Sequence, residues 1–167
     1  MKKLAILIAF FVITIGCSDD NSVLGSTTPE STLLEFSQNA AIIVSPQSND
    51  LVFVNVEAGE RLVFEYFFVA EQEDLIADDE YGERILFEVD PNLSSFSFSD
   101  AELATLRPFF NRFCFCETIG SLLISSGTIS GTQVNATAWD IDVDLRFDLD
   151  GTEVSRSISG RFQLKTP

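Results

Sequence analysis

The segment WDIDVDLRFDL, residues 139–149, alternates apolar and polar side chains almost without interruption. A period of two places the apolar set on one face of a β-strand and the polar set on the other, whereas a helix would scatter both sets around its axis. The Asp150–Gly151 pair that follows is typical of a two-residue type I′ turn. This stretch therefore predicts a β-hairpin with one buried and one solvated face, and it commits the end of the chain to an antiparallel sheet.

The register of this hairpin follows from the turn. Apolar residues then face apolar residues along most of the ladder, and Asp140 lies opposite Arg161 as a pair of opposite charge. Arg156 is the exception, because it falls on the apolar face opposite Leu145; we expect its aliphatic stem to pack and its charged head to stay in water. The apolar pairs predicted are Phe147 with Val154, Val143 with Ile158, and Trp139 with Phe162.

Shorter runs with the same period of two occur through the rest of the chain. Two of them flank Ala58–Gly59, which predicts a second hairpin there. The run 61–70 is apolar on both faces, and we expect a helix or a neighbouring chain to cover its outer face. The one helix predicted is short, with a capping box formed by Ser99 and Glu102 and a stop at Pro108.

These elements together predict an all-β domain. With about 8–10 strands, hairpin-length connections and one short helix, the arrangement that the pattern favours is an antiparallel two-sheet sandwich. A lipocalin-like up-and-down barrel is the alternative. The pattern contains no internal repeat and no sign of a second domain, so residues 32–167 are expected to form a single domain.

The first sixteen residues, MKKLAILIAFFVITIG, have a different character. Two lysines precede an apolar run that is shorter than the about 20 residues needed to span a bilayer, which is the pattern of a secretory signal peptide. The run ends at a small residue followed by Cys17. This arrangement resembles the lipobox of bacterial lipoproteins, although Thr14 replaces the leucine usual in that family.

The resemblance implies that the Cys17 thiol receives a diacylglyceryl group, that residues 1–16 are removed, and that the new amine is acylated, for example with palmitate. Two or more acyl chains anchor a protein stably to a bilayer, whereas one does not. Residues 17–31 are polar and aperiodic, and we expect them to form a flexible tether.

The resemblance also implies a location in the cell envelope, with the lipid in the outer membrane and the domain facing either the periplasm or the cell surface. Asp19 and Asp20 are similar to the acidic surface-export signal of lipoproteins in the Bacteroidota. The whole chain weakly resembles the small envelope lipoproteins of that phylum.

Charge and composition exclude several functions. The chain carries 26 acidic and 10 basic residues, a net charge of −16, so long-range repulsion excludes nucleic-acid binding. It contains no histidine, which excludes Ser-His-Asp and Cys-His catalysis as well as histidine zinc sites. Carboxylate chemistry remains, and the acidic surface is expected mainly to keep the protein soluble beside a membrane.

Cys114 and Cys116 are the two thiols left if Cys17 is lipidated. Outside the inner membrane the environment is oxidising, which favours a disulfide between them. Residues i and i+2 of a strand lie about 6.6 Å apart, so this bond would need a bulge or bend and would be easily reduced. Two unbonded packed thiols and a soft-metal site that includes Glu117 are the alternatives.

Oxygen ligands for a cation are densest in the loop 71–83. Asp74, Asp78, Asp79 and Glu80 are weak calcium candidates, because the loop lacks the ligand spacing of the known twelve-residue calcium loop. We expect a solvated acidic loop, and no cofactor apart from the covalent lipid. The aspartates of the final hairpin are expected to form a wet sheet face.

The sequence therefore favours a membrane-anchored, non-enzymatic envelope lipoprotein whose β-domain binds a protein or a glycan or serves as an accessory module. Fourteen phenylalanines follow Cys17, most of them in apolar runs typical of a core. An aromatic-lined cavity is the less favoured interpretation, and it would make the protein a lipocalin-like carrier of an apolar molecule. A carboxylate-based glycoside hydrolase is a remote third class.

Overall fold

A computed structural model describes residues 27–46, 52–73, 76, 78–115 and 120–166. It confirms the predicted all-β class with one short helix. The signal segment 1–16 lies outside the described residues. The strands are β1 (Thr27–Thr28), β2 (Ser31–Pro46), β3 (Val52–Ala58), β4 (Arg61–Val69), β5 (Gln72–Glu73), β6 (Tyr81–Val89), β7 (Ser95–Ser99), β8 (Phe109–Cys114), β9 (Ser121–Leu123), β10 (Ser126–Asn135), β11 (Ala138–Leu149) and β12 (Thr152–Leu164).

Ten of the twelve described strands form one sheet, and the short strands β1 and β5 pair separately. Six of the ten close into a ring in the order β2, β4, β6, β8, β9 and β3, because β3 pairs with both β9 and β2. The other four, β12, β11, β10 and β7, extend the sheet from β2. At this junction Glu35 and Phe36 pair in parallel with Gln163 and Leu164, whereas the other described pairs are antiparallel.

Two cores result from this arrangement. The inter-layer core lies between the ring and the extension, and its buried members include Phe36, Phe64, Phe87, Trp139, Leu145 and Phe162. The ring core lies inside the ring and consists of Ala40, Ile42, Val54, Val63, Leu86 and Phe109, with three further valines packed against it. Burial of this apolar surface is the main force that holds the sheet in its folded shape.

The architecture combines features of both predicted arrangements. Six strands close on themselves as in a barrel, and the extension packs across the outside of the ring as the second layer of a sandwich. The closure differs from that of an up-and-down barrel, because the long strand β2 pairs with β4 through its first half and with β3 through its second half.

Strand β4 shows why residues 61–70 are apolar on both faces. Side chains alternate along a strand, so Leu62 and Phe64 enter the inter-layer core while Val63 enters the ring core. The cover for the outer face is the extension of the same chain, and the expectation of a covering helix or neighbouring chain is therefore wrong.

The final hairpin, β11 with β12, has the predicted register. Phe147 lies opposite Val154, Trp139 lies opposite Phe162, and the remaining predicted pairs are also confirmed. The expectation for Arg156 is wrong. Its guanidinium binds the buried carboxylate of Glu83 instead of extending into water.

The hairpin predicted at Ala58–Gly59 is also wrong. β3 and β4 follow one another along β2 and do not pair with each other among the described strand pairs. Gly59 donates its N–H to the Asn39 carbonyl at 2.9 Å, and a Cβ at Gly59 would lie 2.5 Å from that of Ala41. Only glycine fits this close approach, so Ala58–Gly59 forms a bend where the chain packs against β2 and not a hairpin turn.

The predicted helix is present as a 3₁₀ helix, Asp100–Thr105. The Glu102 carboxylate accepts the backbone N–H of Ser99 at 3.2 Å, as the capping box predicts. After the helix, the Pro108 carbonyl accepts the N–H of Ile124 at 2.8 Å, which joins the start of β8 to the end of β9. The helix packs its one buried residue, Leu103, into the inter-layer core.

Candidate functional site

The strongest candidate site is an open groove at the end of the ring where β4 ends and β6 begins. It has a volume of about 350 Å³, and we call it the aromatic groove. Although it is open to solvent, most of its lining is apolar, which is typical of a surface that binds a partner. The lining consists of Phe67, Val69, Tyr81, Gly82, Phe113 and Phe115, with Gln72, Asp78, Glu80 and Cys114.

The aromatic groove continues the face of β4 that lines the ring. Val63 belongs to the ring core, and Glu65 and Phe67 follow it at every second position on that face. Glu65 accepts a hydrogen bond from Arg84 of β6 at 2.6 Å. Beyond this ion pair, Phe67 packs edge-to-face on Phe113 with ring centroids 5.8 Å apart. A polar band thus separates the ring core from the groove.

A glycine gives the groove its depth. Gly82 of β6 lies opposite Phe113 of β8. A Cβ at this position would lie 2.9 Å from the Phe68 carbonyl oxygen and 3.7 Å from the Phe113 ring. Any other residue at this position would displace β4 and occupy the space beside the aromatic ring of Phe113.

Sequence reasoning missed this site, because it assigned most phenylalanines to the core. Phe115 is 86% exposed and Phe113 is 44% exposed. The signal was present in the alternation of these residues at the end of β8. Which face of β8 is covered, however, depends on its non-local pairing with β6, which periodicity alone does not reveal.

The cysteine predictions are only partly within the described residues. Cys114 lies in the wall of the aromatic groove and is disulfide-bonded. Cys17 and Cys116 lie outside the described residues, so the pairing of Cys114 with Cys116 stays a prediction, as does the lipidation of Cys17.

The structure brings together only part of the acidic loop. Asp74 lies outside the described residues. The Asp79 carboxylate accepts the backbone N–H of Glu73 at 2.6 Å, so it already stabilises the loop. Asp78 and Glu80 lie on the rim of the aromatic groove. In the part of the chain that is described, no group of three or more acidic or cysteine side chains is arranged to hold a metal ion.

A second polar cluster lies between the layers. Glu83 of β6 is 3% exposed. Its carboxylate accepts two hydrogen bonds from Arg156 of β12, one of them from Nε at 2.6 Å, and a third from the Tyr81 hydroxyl. Each member of the ion pair interrupts the apolar face of its own strand. Matching the two interruptions would have predicted their contact from the sequence.

The Glu83 carboxylate of this cluster stays ionised near neutral pH. Burial by itself would raise the pKa of Glu83, but the hydrogen bonds from Arg156 and Tyr81 outweigh it and the pKa is lowered. Burial raises the pKa of Tyr81, and the hydrogen bond to Glu83 raises it further. Glu83 therefore stays ionised and bound, which suits a structural link between layers better than proton transfer.

The opposite face of β6 holds a second buried carboxylate. Glu88 is 5% exposed. It accepts the backbone N–H of Ile42 and a hydrogen bond from Arg107 at 3.3 Å. Arg107 also donates to the Ile42 carbonyl at 3.2 Å, so this cluster ties the end of the 3₁₀ helix to β2.

The predicted aspartate stripe lies on the exposed face of the extension, where it alternates with the buried residues of β11. Asp140 binds Arg161 at 2.8 Å, and Asp142 accepts the Ser159 hydroxyl at 2.6 Å. Shallow open grooves of about 310–380 Å³ cross this face. The aspartates therefore form a polar sheet face on the outside of the extension, as predicted, and line these grooves.

Comparison with protein-family models, curated proteins and solved structures finds no match for this chain. Within the described residues, no helix is both long enough and apolar enough to cross a membrane.

Proposed function

We propose that this protein is a lipid-anchored lipoprotein of the bacterial cell envelope whose all-β domain acts as a non-enzymatic binding or accessory module. The observation that carries the proposal is Cys17, placed directly after a charged and apolar segment of signal-peptide length. Acyl chains on this cysteine anchor the domain to the outer membrane, with the domain in the periplasm or at the cell surface.

The position of the first strand supports an anchor at this end of the chain. β1 begins at Thr27 and lies at the surface, with both of its residues exposed. It lies within the predicted tether 17–31, so the domain includes the last residues of that segment. A short chain from Cys17 can therefore reach the fold without crossing it.

The two buried carboxylates support a non-enzymatic role. A glycosidase needs one carboxyl group that can donate a proton and a second group about 5–10 Å away across an open cleft. Glu83 and Glu88, the buried acids of the described residues, are each bound by an arginine and lie on opposite faces of β6. Neither is placed to act on a substrate, which weighs against the hydrolase alternative.

The packing of the phenylalanines weighs against a carrier of apolar molecules. Such a carrier needs an aromatic-lined cavity inside a closed barrel. In this fold most buried phenylalanines lie in the inter-layer core, while the ring core holds mainly alanine, valine, isoleucine and leucine with Phe109.

Metabolic labelling with an alkyne analogue of palmitate tests the anchor. We expect the wild-type protein to incorporate the label and to fractionate with the envelope, and Cys17→Ala to lose both properties. Ser18→Ala is the matched control, since it changes the neighbouring residue and keeps the thiol. Equal labelling of wild type and Cys17→Ala would overturn the proposal.

A further inference from the structure

Four of the eight exposed large apolar side chains of the described residues lie in or beside the aromatic groove, and the other four are Ile43 of β2, Leu122 and Leu123 of β9, and Val134 of β10. Among the described residues, Phe115 is 86% exposed, Ile76 is 51% exposed, Phe113 is 44% exposed and Leu33 is 42% exposed. Leu33 is the register partner of Phe67 in the aromatic groove. We call these four residues and the groove the apolar end. Apolar surface gathered in this way is typical of an interaction site.

The chain enters the fold at this same end. Thr27 and Thr28 of β1 pair with Glu73 and Gln72 of β5, and Gln72 lines the aromatic groove. Thr27 lies ten residues after Cys17 in the sequence. A chain of ten residues spans roughly 35 Å at most, even when fully extended. A lipid on Cys17 therefore stays close to the apolar end.

The rest of the body extends away from this end. Arg112, next to Phe113, binds Asp150 at the start of the β11–β12 turn at 2.7 Å. β11 runs from that turn for twelve residues, or roughly 40 Å, to the β10–β11 connection beside Val134. Val134 thus lies at the far end of β11 from the turn that Arg112 holds beside Phe113.

The charge around the groove limits what can cover it. Asp78 and Glu80 lie on its rim, and the whole chain has a net charge of −16. A second copy in a symmetric dimer would place two such acidic rims against each other, which is unfavourable. A lipid surface with uncharged head groups offers an apolar region for the rings without this repulsion.

From these observations we propose that the apolar end docks on the bilayer that holds the acyl chains of Cys17, with the rings of Phe113 and Phe115 inserted at the interface. The inference rests on the proposed function, because the anchor supplies the proximity. Apolar side chains of surface-bound proteins enter the boundary between head groups and acyl chains in this way. The disulfide at Cys114, between the two rings, restrains the segment that presents them.

Tryptophan fluorescence in reconstituted vesicles tests the orientation. Trp139 is the only tryptophan of the chain and is 1% exposed, so it provides a constant background. The full lipidated chain carrying Phe115→Trp is placed in phosphatidylcholine vesicles whose acyl chains are brominated. Val134→Trp is the matched control, since Val134 is 44% exposed and lies beside the β10–β11 connection, at the far end of β11 from the Asp150 turn.

We expect bromolipid to quench more than about half of the added emission of Phe115→Trp and to leave that of Val134→Trp and Trp139 nearly unchanged, because bromine quenches only over short distances. Replacing part of the phosphatidylcholine by an anionic lipid should reduce the quenching, owing to repulsion by the acidic rim.

Two further results are distinguishable. If the chain floats with the vesicles but Phe115→Trp is quenched no more than Val134→Trp, the docking inference is overturned and the anchor stands; this is also the result expected if a protein partner covers the apolar end. If the lipid-modified chain does not float at all, the anchor fails, and the docking inference fails with it.

Discussion

The two faces of β6 pack against cores that differ in the size of their side chains. On one face, Phe87 stacks on Phe64 at 5.1 Å within an aromatic cluster. On the other, Leu86 lies in the ring core, whose members are aliphatic apart from Phe109. The first face meets a separate layer of the sheet, and the second faces the inside of a closed ring.

The difference follows from the space that each geometry leaves. Packed layers lie about 10 Å apart, which accommodates aromatic rings from both sides. A barrel of about eight strands is only just wide enough for side chains to fill it, so a ring of six strands has room mainly for short ones. One strand can therefore serve as part of a barrel and as one layer of a sandwich, provided that its two faces differ in volume.

Each core also contains one buried glutamate, and the two are held differently. Glu83 depends on Arg156, which reaches it across the layers, and on Tyr81. Glu88 keeps a backbone hydrogen bond from Ile42 in addition to its arginine. Glu83 in the inter-layer core thus depends more strongly on its arginine, Arg156, than Glu88 in the ring core depends on Arg107.

The largest difference in stability is expected between substitutions at two adjacent residues of β4. Phe64→Ala removes a ring that contacts four other aromatic rings, and we expect the free energy of unfolding to fall by about 3–5 kcal/mol. Val63→Ala removes two carbons from the ring core and should cost about 1–2 kcal/mol. Urea unfolding followed by circular dichroism measures both. Equal losses would mean that the ring core is as important to stability as the inter-layer core.

The next largest difference in stability is expected when the arginine partner of each buried glutamate is removed. Arg156→Met leaves the Glu83 carboxylate buried without its cation, and we expect a loss of about 3 kcal/mol that the double variant Glu83→Met/Arg156→Met largely restores. Arg107→Met should cost about 1 kcal/mol, because Arg107 is 41% exposed and Glu88 keeps its backbone hydrogen bond. Failure of the double variant to recover would show that the ion pair itself contributes the stability.

Acid should weaken the inter-layer link. The pKa of Glu83 is lowered in the folded protein, so its contribution is complete above its unfolded pKa of about 4.3 and is lost as the pH falls through the lower folded value. We expect the unfolding free energy of the wild type to fall more steeply below about pH 4 than that of Glu83→Gln. Glu57→Gln, at an exposed position of β3, should keep the wild-type slope. Parallel curves for all three proteins would contradict this assignment.

The smallest effect is expected on the outer face of the extension. Asp140 and Arg161 form an ion pair whose side chains are both 53% exposed. Surface pairs of this kind are screened by solvent and salt. Asp140→Asn should therefore leave the unfolding midpoint unchanged within error. A clear shift would show that this face is more strongly coupled to the core than its exposure indicates.

The local sequence pattern was sufficient to predict some elements of the fold. The alternation in residues 139–149 and the turn after it predicted every residue pair of the last hairpin, because turn type and face together determine register. The capping box of Ser99 and Glu102 predicted the short helix, because it also depends only on residues close together in the chain. The exposed phenylalanines of the candidate site were not predicted, since the same alternation occurs whether or not a neighbouring strand covers the face.

The sequence by itself thus determined the all-β class, the two faces of β11 and the register of the final hairpin, since these depend on residues close together in the chain. Only the tertiary structure decided that β3 closes the ring, that β12 joins β2 in parallel, and that Glu83 meets a residue 73 positions away. Such contacts depend on how the whole sheet bends, and any one strand carries too little information to specify its distant neighbours.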